Sequence, residues 1–64
     1  MAKINGKIVA AEGKTISEYL KMEEYREDSI VVEYNLEILP KDAYAETVIK
    51  EEDSIEIVQF MGGG

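Results

Sequence analysis

A chain of 64 residues that contains neither cysteine nor histidine must fold without a disulfide bond and without a zinc site built from those residues. A domain of this size buries only about 60% of the surface that its unfolded chain exposes. Its stability must therefore come from the packing of apolar side chains, which make up 45% of the residues. The sequence predicts one small domain.

The charge balance bears on the partners that such a domain can have. Fourteen acidic residues against seven basic ones give a net charge of −7. This field repels nucleic-acid backbones and anionic lipid surfaces, so we expect neither nucleic acid nor membrane as a partner. A basic face on another protein would complement it. The sequence shows no signal peptide and no apolar run approaching the ~20 residues that span a bilayer, which predicts a cytoplasmic location.

The segment "KINGKIV" predicts a hairpin, because Asn5-Gly6 between two β-rich arms is typical of a two-residue turn. In that register Ile4 lies opposite Lys7, and Ile8 points away from the buried face. The residues expected on the buried face are Ala2, Ile4, Val9 and Ala11.

The segment "TISE" predicts the start of a helix. Thr15 and Glu18 have the spacing of a capping box, in which each side chain accepts a hydrogen bond from the other residue's backbone. An apolar stripe at helical spacing follows, formed by Ile16, Tyr19 and Leu20.

Three further strands are predicted from period-two alternation, in "SIVVEYN", "EIL" and "SIEIVQF". The residues expected to point inward are Ile30, Val32, Tyr34, Ile55 and Ile57, and those expected to point outward are Val31, Val58 and Phe60. In the segment before the last strand, Ala43, Tyr44 and Val48 are expected to cover one end of the core. The order β–β–α–β–β–β predicts an α+β fold with a mixed sheet of four or five strands packed on one main helix.

Catalysis by this chain is not expected. Without histidine or cysteine it has no common general base, thiol nucleophile or transition-metal ligand. The carboxylates occur in charge runs beside apolar segments, which is typical of a solvated surface. We therefore predict no catalytic residue, no metal site and no bound cofactor.

Gly62, Gly63 and Gly64 follow the last predicted strand with only Met61 between. Glycine has no Cβ, so such a segment fits a channel too narrow for side chains. Three extended residues reach roughly 10 Å, enough to deliver a terminal carboxylate into a partner's active site. We predict a domain over residues 1–61 and a flexible glycine tail over residues 62–64.

Four stretches give the chain a resemblance to a known family: "NGK", "TISEYL", "NLEILPKDAY" and "DSIEIVQFMGGG". Together they resemble the ThiS family, the sulfur carriers of thiamin biosynthesis, which have the ubiquitin-like β-grasp fold. The chain departs from the family pattern in two turns, at Asn35-Leu36 in place of Asn-Gly and at Glu51-Glu52-Asp53 in place of Asp-Gly-Asp. Because leucine resists positive φ, we expect the first of these turns to be of another type or shifted by one residue.

The resemblance implies a role for the tail. A ThiF-type adenylyltransferase would use ATP and magnesium to adenylate Gly64, and sulfur from a cysteine desulfurase or another donor would then convert it to a thiocarboxylate. A ThiG-type thiazole synthase would accept that sulfur. By this resemblance Gly64 is the modified residue, while Gly62 and Gly63 thread the partner's active site.

A docking surface is predicted beside the tail. Four apolar side chains project from the open face of the predicted sheet, and two of them lead into the tail; they are Ile8, Val31, Val58 and Phe60. Two other functions remain open from the sequence. One is a carrier like the small subunit of molybdopterin synthase, and the other is a β-grasp interaction module with an inert tail.

Overall fold

Residues 1–60, the part of the chain that the computed structural model describes, form a five-stranded mixed sheet with one α-helix packed on one face. The predicted tail at residues 62–64 lies outside this range. Two short 3-10 turns, Glu27–Ser29 and Lys41–Ala43, connect the main elements. The strands are β1 (Ala2–Ile4), β2 (Lys7–Val9), β3 (Ile30–Tyr34), β4 (Glu37–Leu39) and β5 (Ser54–Gln59), and the helix is α1 (Ile16–Met22).

The last strand lies at the centre of the sheet, in the spatial order β2-β1-β5-β3-β4. It runs parallel to β1 and antiparallel to β3, so the sheet is mixed. The predicted α+β architecture and element order are confirmed. Since β5 has neighbours on both sides, the direction in which the chain leaves the sheet is set by two strand pairings.

The first hairpin has the predicted register, with Ile4 opposite Lys7 and Ala2 opposite Val9. Asn5 and Gly6 both have positive φ, 52° and 82°, as a type I′ turn requires. The alternation along the two strands leaves Ile8 on the face of the sheet opposite the core.

The helix begins with the predicted capping box. The Thr15 hydroxyl oxygen accepts a hydrogen bond of 3.1 Å from the Glu18 amide, and the Thr15 amide donates one of 2.8 Å to the Glu18 carboxylate. Seven residues are too few for a helix to be stable alone in water. It is stabilised by burial of the predicted stripe, Ile16, Tyr19 and Leu20, against the sheet.

The end of the core is covered differently from the prediction. Tyr44 is buried and Ala43 is half-buried, but Val48 is exposed and Ile49 is in the core instead. An antiparallel bridge pairs Val48 with Thr15, and the Ile49 amide donates a 2.8 Å hydrogen bond to the carbonyl of the residue before Thr15. The segment is extended here, so neighbouring side chains point to opposite sides. The prediction that Val48 covers this end of the core is therefore wrong, and its neighbour Ile49 occupies that position.

The β3–β4 turn also differs from the prediction. Tyr34 lies opposite Glu37, so Asn35 and Leu36 are the two central residues, and both have positive φ, 52° and 73°. The expectation of a different turn type or a shifted turn is wrong. The backbone at Leu36 thus has a conformation that favours glycine, although leucine has a Cβ. The Leu36 side chain is 89% exposed. A non-glycine residue in this region costs roughly 1–2 kcal/mol.

Replacement of Leu36 by glycine should therefore stabilise the protein. The relief of backbone strain exceeds the extra entropy of a glycine in the unfolded chain, which leaves a net gain of about 0.5–1 kcal/mol in the free energy of unfolding. Urea denaturation of Leu36→Gly measures it. Leu36→Ala is the matched control, because it removes the exposed apolar atoms but keeps the Cβ. Equal gains in both variants would show that apolar exposure, and not backbone strain, is relieved.

Candidate functional site

The candidate site is the open face of the sheet together with the end of β5. Phe60 follows that strand directly, and its amide donates a 2.9 Å hydrogen bond to the carbonyl of Ser29. The pairing with the β3 side therefore continues one residue beyond the strand. The predicted tail residues Gly62, Gly63 and Gly64 lie outside the described range, and their assigned roles stay predictions.

Three of the four predicted docking residues lie close together. Val31 and Val58 are directly opposite each other in the β3–β5 pair, and Phe60 is two positions further along the same face. Val58 is 51% exposed and Phe60 52% exposed, whereas Val31 is half-buried. We call Val31, Val58 and Phe60 the apolar patch.

Ile8 lies apart from the apolar patch, although it occupies the same face and is 66% exposed. It is opposite Lys3 on β1, which in turn pairs with Ser54 at the start of β5. Between Ser54 and Val58 the strand advances four residues, or roughly 13 Å. The register therefore places Lys3 between Ile8 and β5. Ile8 is level with the start of β5, whereas the patch lies near the end of that strand.

One exposed apolar residue of this face was missed from the sequence. Ile38 on β4 lies opposite Glu33 and is 66% exposed. The prediction treated "EIL" as a strand without assigning its faces. A two-residue turn at Asn35-Leu36 pairs Ile38 with the outward-facing Glu33. The sequence would therefore have predicted an outward-facing Ile38 if that turn had been assumed.

Two carboxylates lie side by side at the centre of this face. Glu33 on β3 is directly opposite Glu56 on β5, and the two form the next outward-facing pair along from Val31 and Val58. Like charges in this position destabilise a strand pair. Neither glutamate forms an ion pair with a lysine or arginine within residues 1–60.

A buried aspartate fixes the beginning of β5. Asp53 accepts hydrogen bonds from the Tyr34 hydroxyl, from the Asn35 side-chain amide at 3.1 Å and from the Lys50 backbone amide at 2.8 Å. It thereby closes the turn at Glu51-Glu52 without positive φ at either glutamate. This network ties the entry of the central strand to the end of β3.

The same network shifts two pKa values. Burial acts to raise the pKa of Asp53, but the hydrogen bonds from Tyr34, Lys50 and Asn35 outweigh it and hold that pKa below its usual value. Burial, together with the hydrogen bond to Asp53, raises the pKa of Tyr34 to about 12. Asp53 is therefore ionised, and Tyr34 neutral, across the physiological pH range.

The two hairpin asparagines hold β5 from opposite sides. The Asn5 side-chain oxygen accepts a 2.7 Å hydrogen bond from the Ile57 amide, and the Asn35 side-chain oxygen accepts one of 2.8 Å from the Ser54 amide. Asparagine is common in turns with positive φ. Here the side-chain oxygen of each asparagine also accepts a hydrogen bond from a backbone N–H of β5. Together with the Asp53 network, these contacts hold β5 to its neighbours through side chains as well as through the strand pairings.

Other kinds of site receive no support from the described residues. Within residues 1–60 no group of three acidic side chains converges in a way that could hold a metal ion. No helix in the same range is long and apolar enough to cross a membrane.

The sheet order, the single helix of the described range and the central last strand define a ubiquitin-like β-grasp protein. The chain belongs to the ThiS family, whose family model matches residues 1–64. It is 38% identical to the sulfur carrier protein ThiS of Bacillus subtilis over 66 aligned positions, which cover all of both chains. A crystal structure of the thiamine biosynthesis protein ThiS from Geobacter metallireducens superposes with a TM-score of 0.77 at 33% identity, covering 98% of this chain and 97% of that one.

Thiazole synthases also contain segments similar to this chain. The match to the enzyme of Magnetococcus marinus is 36% identical over 62 residues, and the match to that of Paramagnetospirillum magneticum is 51% identical over 35 residues. These alignments cover 95% and 55% of this chain. The chain spans only 19% and 11% of the length of those two synthases.

Proposed function

We propose that this chain is a sulfur carrier of thiamin biosynthesis and that it acts as a protein co-substrate. The proposal is supported by membership of the ThiS family and by the full-length similarity to the sulfur carrier of Bacillus subtilis. The structural observation that carries it is the position of β5. The strand that precedes the glycine tail is central, is held on both sides, and is followed by an exposed aromatic side chain.

The chemistry proposed for Gly64 explains why the carrier needs an enzyme. A terminal carboxylate has a pKa near 3.3–3.7 and is an anion at neutral pH, so it resists nucleophiles and has no good leaving group. A ThiF-type adenylyltransferase would use magnesium and ATP to join AMP to this carboxylate, with release of pyrophosphate. Sulfide from a donor would attack the acyl carbon and expel AMP. A persulfide supplied through a cysteine desulfurase would also expel AMP, and a thiol would then reduce the S–S bond of the resulting acyl disulfide. The product is a thiocarboxylate on Gly64.

Delivery of that sulfur is proposed to use the two parts of the site together. The apolar patch would pack against the partner and hold β5, while Gly62 and Gly63 pass through a channel that admits no side chains. The proposed acceptor is a thiazole synthase. Its support is that two such enzymes contain segments similar to this chain.

Two measurements test this function. Intact mass spectrometry after incubation with a ThiF-type enzyme, MgATP and a sulfur source separates a carrier from an interaction module with an inert tail. A carrier gains the mass difference between sulfur and oxygen. Transfer assays with thiazole synthase and with the large subunit of molybdopterin synthase then identify the acceptor. Acceptance by molybdopterin synthase alone would overturn the thiamin assignment.

Removal of the Phe60 ring should weaken docking to the adenylating enzyme. Because about half of the side chain is already covered, a partner can bury the other half, which corresponds to roughly 1–1.5 kcal/mol. We expect Phe60→Ala to lower kcat/KM for adenylation about fivefold to tenfold, mainly through KM. Ile8→Ala should have a smaller effect, because Ile8 lies apart from the patch.

The control for Phe60→Ala is Met22→Ala, which removes an exposed apolar side chain from the helix side of the molecule. It should leave adenylation unchanged. Thermal unfolding of each variant reports whether the domain itself is affected. If Phe60→Ala unfolds at a much lower temperature but is adenylated normally while folded, the ring belongs to the core and the docking role is wrong.

A further inference from the structure

The Glu33–Glu56 pair is unfavourable for the isolated domain. The two residues are directly opposite in the β3–β5 pair, and Glu33 is half-buried, so part of its surroundings is protein. Opposite positions in such a pair have Cβ atoms about 4.5–5.5 Å apart. Within residues 1–60 neither carboxylate forms an ion pair that would offset the repulsion.

Apolar side chains lie on two sides of this pair. Val31 and Val58 form the next outward-facing pair along β3 and β5, and Ile38 is the β4 neighbour of Glu33. Val58 and Ile38 are among the exposed large hydrophobic residues of the described range. The open face therefore presents two adjacent negative charges beside surfaces that a partner can exclude from water. Attraction between opposite charges is strengthened where water is excluded.

We infer that Glu33 and Glu56 together receive one basic side chain, an arginine or a lysine, from thiazole synthase, while the surrounding apolar residues pack around its stem. This inference rests on the proposed function and adds the chemistry of the partner's contact surface. Two carboxylates side by side match the donors of a guanidinium group, and the hydrocarbon stem of either basic residue packs well on apolar side chains. In the free carrier the two carboxylates repel each other, whereas in the complex both attract the partner's basic side chain.

The partner is assigned from two observations. The net charge of −7 favours a protein with a basic contact surface over a second copy of this chain, which would bring four carboxylates together. Two thiazole synthases contain, in the same polypeptide, a segment similar to this chain, which favours an enzyme of that class as the partner.

The test compares stability with binding in the same variants. Glu33→Gln, Glu56→Gln and the double variant keep the side-chain shape and remove the charge. Relief of the repulsion should leave the melting temperature unchanged or raise it by about 1–6 °C. The Kd for thiazole synthase, measured by calorimetry, should rise about tenfold in each single variant, the effect expected for a charge-assisted hydrogen bond. The salt dependence of binding should be weaker in the double variant.

Glu46→Gln is the matched control, because it makes the same change in charge at an exposed residue outside the sheet. Its segment is hydrogen-bonded to the start of the helix through Thr47 and Tyr44. The control should bind as tightly as the wild type. If the wild type binds and the glutamine variants bind equally well, the inference is wrong and the proposed function stands.

Two other outcomes also overturn the inference. A wild-type chain that neither binds thiazole synthase nor gains sulfur would remove the proposed function and the inference together. A wild-type dimer in sedimentation that dissociates in the glutamine variants would assign the face to a second copy of this chain.

Discussion

Deletion of Gly64 should abolish thiocarboxylate formation while leaving the folded domain unchanged. The shortened chain still ends in a glycine carboxylate, so the reacting group is chemically the same. Its carbon, however, would lie one residue, about 3.5 Å, short of the position that the proposed function gives it in the partner's active site. Because a misplacement of 1 Å can cost about a hundredfold in rate, we expect a loss of at least that size. Intact mass spectrometry measures the thiocarboxylate.

The matched control for this deletion is the addition of one glycine after Gly64. It changes the reach of the tail by the same amount in the opposite direction and should also abolish the reaction. Both variants should melt at the wild-type temperature, since no residue of the described domain changes. Normal sulfur transfer by the deleted chain would refute the assignment of Gly64 and the carrier mechanism with it.

Replacement of Asp53 by alanine should be the most destabilising of the substitutions considered. It leaves the Tyr34 hydroxyl, the Asn35 amide and the Lys50 backbone amide without their common acceptor. Each buried unsatisfied donor costs roughly 1–3 kcal/mol, and water can reach part of this site, so we expect a total loss of about 2–4 kcal/mol. Urea denaturation measures it. Asp42→Ala, which removes an exposed aspartate from a 3-10 turn, should change stability by less than about 0.5 kcal/mol.

The pH dependence of stability tests the same network. The pKa of Asp53 is lower in the folded protein than in the unfolded chain. Its contribution is therefore fully present above the unfolded value of 3.8 and is lost as the pH falls through the folded value. Asp53→Ala should flatten this acid limb of the stability curve. An unchanged acid limb in the variant would show that other carboxylates cause the acid sensitivity.

Most of the fold was predictable because local signals agreed with one another. Asn5-Gly6 specified the first hairpin register, and the Thr15–Glu18 spacing specified the start of the helix. Alternation in β3 and β5 assigned their buried and open faces correctly. Such patterns mark the face of a strand or helix that is buried, and this fold buries one face of each of these elements.

The parts that could not be predicted depend on tertiary contacts. Val48 and Ile49 are equally apolar, and only the bridge to Thr15 decides which of them points inward. Leu36 adopts a conformation that leucine resists, because the β3–β4 register and the Asp53 network determine the turn. Asp53 looked like one acid in a charge run, and its burial depends on donors far away in sequence.

The residues of the candidate site were predictable from the sequence, but their positions relative to one another were not. Val31, Val58 and Phe60 came from alternation alone, and the register places them together. The same logic grouped Ile8 with them, but a strand's face does not determine position along the strand. The Glu33–Glu56 pair requires knowledge of which strands are neighbours, since nothing in either segment names its partner.

The proposed function requires the Gly64 carboxylate to become a thiocarboxylate. Its most direct test is mass spectrometry of the chain after incubation with a ThiF-type adenylyltransferase, MgATP and a sulfur source, followed by fragmentation to locate the change. We predict that the chain gains the mass difference between one sulfur and one oxygen, that fragments place this change on Gly64, and that omission of ATP prevents it. A chain whose mass is unchanged in the complete mixture, or whose added sulfur lies on another residue, would contradict the account.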